Sequence, residues 1–185
     1  MQSQIQLILR ASAFASAYHG GQYRKGNNAL PYVTHPLEVS RILSEEGGID
    51  DVEVLAAAIL HDTIEDTAAS REDISERFGE RVCNIVLELT DDKRLEKQER
   101  KRMQVINAPG KSPGAAAVKL ADKIANVRDI TNSPPDWSEE RKAGYIAWAT
   151  EVVNALPPGH DKLRAVFAEA VRAFNVKSSR AGGAQ

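Results

Sequence analysis

Residues 54–67 have the sequence VLAAAILHDTIEDT, an apolar run that ends in a dense group of histidine and acidic side chains. His61 and Asp62 offer an imidazole and a carboxylate from adjacent positions, and Glu65 and Asp66 follow about one helical turn later, since a turn takes about 3.6 residues. Ionised carboxylates are rarely buried unless they are paired or bound to a metal ion. The stretch therefore favours a helix that leads into a metal site over its alternative, a polar helix end capped by its own acids.

The composition of the chain limits the classes of protein that it can belong to. Its 185 residues are 42% hydrophobic and 27% charged, which is ordinary for one globular domain. A net charge of −2 gives no overall attraction to nucleic acids or membranes, so an anionic ligand needs a local cluster of cations. The one cysteine, Cys83, cannot form an internal disulfide, and no segment resembles a signal peptide or a membrane span. We expect a cytoplasmic protein without nucleic-acid or membrane partners; its oligomeric state is left open.

Helical periodicity runs through the chain. Apolar residues recur at spacings of three and four, as in Val82, Ile85, Val86 and Leu89, and no alternating strand pattern is present. No internal repeat or interdomain linker interrupts the pattern. The sequence therefore predicts a single all-α domain over residues 1–177, followed by a small polar tail, residues 178–185, that we expect to be disordered.

Local signals mark several predicted helix starts. Pro36 suits the first position of a helix, where its missing N–H costs nothing. Asp50 with Glu53, and Asp136 with Glu139, have the spacing of a capping box, so each pair predicts a helix that begins beside it.

Further metal ligands must come from other parts of the chain. His35 precedes a predicted helix and is free to project, whereas His19 suits a helix C-terminus and His160 an exposed turn. Asp122 and Asn126 lie on one face of a mostly apolar helix together with Asp129. Spacing alone also allows a solvated outer face, but the apolar flanks favour a stripe that faces inward.

Two imidazoles and two carboxylates would form a mixed nitrogen and oxygen site. Such a site suits Mn²⁺, Fe²⁺, Co²⁺ or Zn²⁺ better than Ca²⁺. Glu65 or Asp66 can then orient a water molecule and take its proton.

Two groups of cations can meet an anionic substrate. Arg24 and Lys25 lie in a loop ahead of His35, and arginine can stack on a base or bind phosphate with two donors. A second basic run, residues 93–102, alternates with acids, so a solvated helix face is its plainer interpretation. No aromatic residues interleave it as nucleic-acid stacking would require.

These residues together resemble the HD superfamily of metal-dependent phosphohydrolases. The chain is most similar to the stand-alone small alarmone hydrolases of the RelA/SpoT homologue family, the metazoan SpoT-homologue type. The matching stretches cover nearly the whole chain in the same order: YRK at 23–25, PYVTHP at 31–36, AILHDTIEDT at 58–67, LTDDK at 89–93 and VKLADK at 118–123, with Asn126, Arg128 and Asp129.

The resemblance implies an all-helical HD-domain bundle with one Mn²⁺ per chain. It implies metal ligation by His35, His61, Asp62 and Asp122, and catalysis by Glu65 and Asp66. The implied reaction is hydrolysis of guanosine 3′,5′-bis(diphosphate), (p)ppGpp, to GDP or GTP and pyrophosphate. Arg24, Lys25 and Asn126 would bind this nucleotide, and Lys97, Arg141 and Tyr145 match ligand-contacting positions of the family less closely.

Two other functions remain open. A phosphatase for another nucleotide, such as one that removes the 2′-phosphate of NADPH, would use the same metal and water. A non-catalytic nucleotide sensor would have lost a ligand or one of the paired acids, and all six residues are present. The sequence therefore favours an enzyme.

Overall fold

The computed structural model describes residues 3–25 and 30–182 of the chain. Within these residues the secondary structure is helical, and the only extended pairing is an isolated antiparallel bridge between Tyr23 and Pro31. The predicted all-α fold is confirmed. The α-helices, in chain order, are α1 (Gln4–Tyr18), α2 (Thr34–Arg41), α3 (Val52–Leu60), α4 (Thr63–Asp66), α5 (Arg71–Phe78), α6 (Glu80–Leu89), α7 (Lys97–Asn107), α8 (Pro113–Asn132), α9 (Glu139–Ala155) and α10 (Asp161–Gly182).

Helix α8 is the centre of the fold. It is buried along most of its length and packs against α2, α3, α6, α9 and α10. Helix α3 lies between α1, α2 and α6, and its alanine-rich sequence lets these neighbours approach closely. The C-terminal end of α3 and the first turn of α2 therefore meet the middle of α8 inside the protein. None of the helices in the described part is long and apolar enough to cross a membrane.

Polar caps explain where several helices begin. Ser3 and Ser70 each form a capping box, with Gln6 and Asp73 respectively, so that two backbone donors at each helix start are satisfied. Ser112 caps α8 ahead of Pro113, which occupies the first helical position. These contacts determine where the three helices begin, although the helices differ widely in polarity.

Three predicted helix starts are wrong by one or two residues. Helix α2 begins at Thr34 rather than Pro36. Asp51, not Asp50, caps α3, because its carboxylate accepts from the backbone N–H groups of Glu53 and Val54. Helix α9 is capped by Ser138, not Asp136, since the Ser138 hydroxyl accepts from the N–H of Arg141.

Two segments differ more substantially from the sequence-based expectation. Residues Ile42–Glu46 continue α2 as a π-helix, a widened turn that periodicity cannot reveal. Helix α10 extends to Gly182, so the predicted disorder is wrong for residues 178–182. Its serine, arginine and alanine side chains are compatible with a helix, and propagating a helix costs far less than nucleating one. The rest of the predicted tail, residues 183–185, lies outside the described residues.

Candidate metal centre and active site

Three parts of the fold bring four predicted ligands together. His35 lies in the first turn of α2, His61 and Asp62 form the junction between α3 and α4, and Asp122 lies midway along α8. One ligand atom from each of His35, His61 and Asp62 lies within 4.8 Å of the other two. Nε2 of His35 is also 3.2 Å from Oδ1 of Asp122. Residues separated by up to 87 positions (35 to 122) thus form one buried cluster.

The chemistry of these donors fits a divalent cation. Nδ1 of His61 donates to the carbonyl oxygen of Ala58 at 2.7 Å, which leaves the lone pair on Nε2. This Nε2 is buried and has no hydrogen-bond partner among the described residues. Oδ2 of Asp62 lies 3.1 Å from it and Oδ1 of Asp122 lies 4.0 Å from it. A buried lone pair that faces two carboxylates favours a cation between them, so the cluster can hold a divalent metal ion.

The same carboxylates control the protonation of the cluster. Burial lowers the pKa of His61, but the charges of Asp62 and Asp122, together with the hydrogen bonds of the ring, outweigh it and raise this pKa to about 8, so an ion that takes the Nε2 lone pair displaces a proton. Burial would raise the pKa of Asp62, but His61 holds it well below its ordinary range. The pKa of Asp122 is likewise far below normal, because the charges of Lys123 and Lys119 and the contact with His35 together overcome the effect of burial. Both carboxylates are therefore ionised at neutral pH, as metal ligands must be.

The paired acids Glu65 and Asp66 occupy different environments on α4. Oε2 of Glu65 accepts from the backbone N–H of Asp91 at 2.9 Å, and burial raises the pKa of this carboxyl group. Asp66 instead forms an ion pair with Lys93. The two acids thus differ in environment, since one accepts from the backbone and the other pairs with a lysine, a division that is common at sites of acid and base chemistry.

A cavity of about 590 Å³ opens beside the cluster. Arg24, Lys25, Asn126, Asp66 and Tyr145 all line it, so five of the predicted functional residues share one space. Its volume lies in the range of small-molecule sites. The cations and aromatic rings in its wall are suited to a nucleotide, with phosphates on the cations and the base on a ring.

Arg24 is held in place by polar contacts to α8. Its Nη2 donates to Oδ1 of Asn126 at 2.9 Å and to Oδ2 of Asp129 at 2.6 Å. The Arg24 side chain is only 18% exposed, although it borders the cavity. Asn126 in turn donates to Oδ1 of Asp122 at 2.5 Å. A continuous chain of hydrogen bonds therefore joins the predicted nucleotide-binding arginine to a predicted metal ligand.

The three residues that match ligand-contacting positions of the family less closely lie in different places relative to this cavity. Tyr145 borders both the first cavity and a second cavity of about 560 Å³. Arg141 lines the second cavity and stacks on Trp137, with its Cζ 4.3 Å from the ring centroid. Lys97 begins α7 on the surface and lines neither of these cavities. The structure brings Tyr145 to the predicted site, places Arg141 in the second cavity, and leaves Lys97 outside both cavities.

Sequence reasoning missed several residues that contact the cluster. Tyr32 donates from its hydroxyl to Oδ2 of Asp62 at 2.6 Å. Nζ of Lys123 lies 3.2 Å from Oδ2 of Asp122 and 4.3 Å from the ring centroid of Trp148. Trp137 forms part of the cavity wall. Position in the chain could have indicated Tyr32, three residues before His35, and Lys123, directly after Asp122, but nothing local indicates Trp137.

The other two histidines lie apart from the cluster, as the sequence predicts. His19 is buried, and its Nδ1 donates to the side-chain oxygen of Gln22 at 2.8 Å. His160 adopts a left-handed backbone conformation with φ of 57°, and its Nε2 donates to the carbonyl oxygen of Pro113 at 3.0 Å.

Comparison with known proteins places the arrangement in a family. A family model described as an HD domain matches residues 11–147. The chain belongs to the HD-domain family. The family resemblance predicted from the sequence is therefore confirmed, and the His61-Asp62 pair that gives HD domains their name lies at the centre of the cluster.

Curated relatives of this HD-domain chain share most of its length. The guanosine-3′,5′-bis(diphosphate) 3′-pyrophosphohydrolase MESH1 of Xenopus tropicalis is 53% identical over 157 residues, which are 84% of this chain and 88% of the relative. The protein of the same name from Homo sapiens is 48% identical over the same shares of each chain. A solved structure described as a metazoan ortholog of SpoT that hydrolyses ppGpp is 43% identical, with a TM-score of 0.79 over 95% of this HD-domain chain and 96% of its own.

Proposed function

We propose that this chain hydrolyses (p)ppGpp to GDP or GTP and pyrophosphate, with a divalent metal ion bound by His35, His61, Asp62 and Asp122. One observation carries the proposal. The buried His–Asp cluster lies beside an acid pair and a nucleotide-sized cavity with a cationic wall, in a chain about half identical to proteins named for this reaction.

Mn²⁺ is the proposed metal ion. Two imidazoles and two carboxylates form a mixed donor set that the intermediate first-row ions prefer to Ca²⁺ or Mg²⁺. When bound, such an ion lowers the pKa of a bound water molecule and neutralises phosphoryl oxygens. The hydrogen bond from His61 to the Ala58 carbonyl orients the ring and fixes the tautomer that leaves Nε2 available.

We assign the movement of protons to α4. Glu65 and Asp66 orient the attacking water, and one carboxylate takes its proton as the water oxygen attacks the phosphorus bonded to the ribose 3′-oxygen. The bond from that phosphorus to the 3′-oxygen breaks, pyrophosphate leaves, and the 3′-oxygen takes up a proton. Burial raises the pKa of Glu65, which favours it as the carrier of that proton, while Asp66 forms an ion pair with Lys93.

We assign recognition of the nucleotide substrate to the cavity. Arg24 presents a planar guanidinium that can stack on guanine, Lys25 supplies a point charge for phosphate, and Asn126 offers its amide to the ribose. Tyr145 closes the far wall with an aromatic ring. Arg141 lines the second cavity and Lys97 lies outside both cavities, so we give both an outer electrostatic role.

The deciding experiment is a pyrophosphate-release assay on the purified chain. ppGpp, pppGpp and NADPH are tested with Mn²⁺, with Mg²⁺ and with excess chelator. The proposal predicts pyrophosphate from ppGpp and pppGpp only when a metal ion is present. Orthophosphate from NADPH without pyrophosphate from ppGpp would assign the chain to the 2′-phosphatase alternative instead.

A further inference from the structure

Two segments beside the cavity are paired through their backbones. The N–H of Tyr32 donates to the carbonyl oxygen of Gln22 at 2.9 Å, and the N–H of Arg24 donates to that of Leu30 at 2.8 Å. Residues 22–25 and 30–32 therefore form one unit, which we call the paired segments. This unit carries Gln22, Arg24, Lys25 and Tyr32, and all four line the cavity.

Tyr32 holds a carboxylate of the metal centre. Its hydroxyl donates to Oδ2 of Asp62 at 2.6 Å. The same oxygen lies 3.1 Å from Nε2 of His61 and 3.9 Å from Nε2 of His35, so the phenol contacts the atom that faces both imidazoles. The ring itself packs edge-on against His35, with centroids 5.9 Å apart, and Arg24 lies over its face at 5.7 Å. Tyr32 is thus fixed between the cavity and the metal centre.

Gln22 contacts the C-terminal end of the segment 62–66, which contains Asp62 and the acids of α4. Its Nε2 donates to the backbone carbonyl oxygen of Asp66 at 2.8 Å, where α4 ends. Its Oε1 accepts from Nδ1 of His19, and this histidine is 2% exposed and packs on the ring of Tyr32 with centroids 4.8 Å apart. The glutamine amide is therefore fixed at both of its polar atoms and cannot swing away from α4.

We propose that Tyr32 and Gln22 are positioning residues that hold the two ends of the segment 62–66 in place by hydrogen bonds. Tyr32 sets the orientation of the Asp62 carboxylate for the metal ion, and Gln22 sets the position of α4 and its acids. Helix α4 has only four residues and cannot hold itself in place, since a single turn is unstable alone. This inference rests on the proposed function for its catalytic consequence, but its structural consequences can be measured without turnover.

Tyr32→Phe tests the hydrogen bond from Tyr32 to Asp62. The exchange keeps the ring and its packing and removes only the donor to Asp62. Partners that orient a metal ligand typically affect affinity by roughly 10–100-fold, so we expect the Mn²⁺ dissociation constant from calorimetric titration to rise by about that factor. Tyr18→Phe is the matched control, because Tyr18 stacks on Phe14 and its hydroxyl makes no hydrogen bond to any residue that the structure describes. The control should bind Mn²⁺ as the wild type does.

Gln22→Met tests the hydrogen bond from Gln22 to the backbone of Asp66. It preserves the length of the side chain and removes the donor to the Asp66 carbonyl. We expect faster amide hydrogen exchange across residues 63–67, with Mn²⁺ affinity unchanged and kcat reduced by about 3- to 10-fold, the rate equivalent of one hydrogen bond. Gln4→Met, at the exposed start of α1, is the control that should leave all three quantities unchanged.

The outcomes separate this inference from the proposed function. If the wild type binds Mn²⁺ but releases no pyrophosphate, the proposed reaction is wrong. Metal titration and hydrogen exchange still test the positioning roles of Tyr32 and Gln22. If Tyr32→Phe and Tyr18→Phe bind Mn²⁺ equally, or the wild type binds none, Tyr32 does not position a metal ligand. Unchanged exchange across residues 63–67 in Gln22→Met overturns the role of Gln22, whatever the activity.

Discussion

The side-chain amide of Asn126 donates to Oδ1 of Asp122 across one turn of α8, at 2.5 Å. The opposite side of the same amide accepts from Arg24 at 2.9 Å. One residue therefore connects the cavity wall to the metal centre, and its loss has consequences for both.

Asn126→Ala removes both contacts at once. Leaving a buried partner without its hydrogen bond typically costs about 1–3 kcal/mol, so we expect kcat/KM for ppGpp to fall by roughly 10-fold or more. Steady-state kinetics measure the effect. Asn132→Ala, at the exposed end of the same helix, is the control and should retain wild-type kinetics.

Arg24→Lys should weaken hydrolysis while leaving bound metal unchanged. Lysine keeps the positive charge but cannot donate to Asn126 and Asp129 through a planar fork or stack on a base in the same way. Kinetics with ppGpp, alongside metal analysis, check this. Unchanged catalytic efficiency in an Arg24→Ala, Lys25→Ala double variant would show that neither side chain contributes to substrate binding.

Exchanging the acids of α4 should separate chemistry from metal binding. Glu65→Ala and Asp66→Ala should each keep the metal but lower kcat by roughly 10²–10⁴-fold, the usual contribution of a positioned acid or base. Asp62→Ala should lose metal and activity together, since it removes a proposed ligand. Near wild-type turnover in both α4 variants would mean that another residue activates the water.

Chelation should abolish activity, and Mn²⁺ should restore it better than Mg²⁺, because imidazole ligands favour the softer ion. Thermal unfolding gives an independent readout. A metal ion that binds only the folded chain must raise the midpoint of unfolding, and the rise should grow with the Mn²⁺ concentration. Full activity in excess chelator would falsify the metal assignment.

Asp51→Ala should lower the free energy of unfolding by about 1 kcal/mol at pH 7, the usual cost of losing an N-cap. The fold lowers the pKa of Asp51 from its ordinary value of 3.8, chiefly through its hydrogen bonds with Arg81. The stabilisation is therefore present above the unfolded-state pKa and is lost as the pH falls through the lower folded-state pKa. Urea unfolding at pH 7 and pH 3 should show the difference from wild type shrinking at the lower pH. Asp50→Ala, one residue away and exposed, should cost almost nothing at either pH.

Much of the site was predictable because its signals are local. His61, Asp62, Glu65 and Asp66 lie within six residues, so spacing indicates them, and the apolar residues that flank Asp122 indicate this acid. Choosing between Asp50 and Asp51 as the cap was not possible from spacing, because both precede the same helix and only backbone geometry decides which carboxylate reaches the N–H groups. Contacts such as Tyr32 to Asp62 depend on the path of the chain between them, which no local pattern encodes.

The wide separation of the cluster residues along the chain has a thermodynamic consequence. His35 and Asp122 lie at the ends of an 88-residue span (35–122), so no short fragment contains the complete donor set. An ion that requires all of them can bind only after α2, α3 and α8 have docked. The free energy of metal binding then stabilises the three docked helices together, and amides in all three should gain protection from hydrogen exchange together. A truncated or proteolysed product that stops short of Asp122 would neither retain the ion nor cleave a nucleotide.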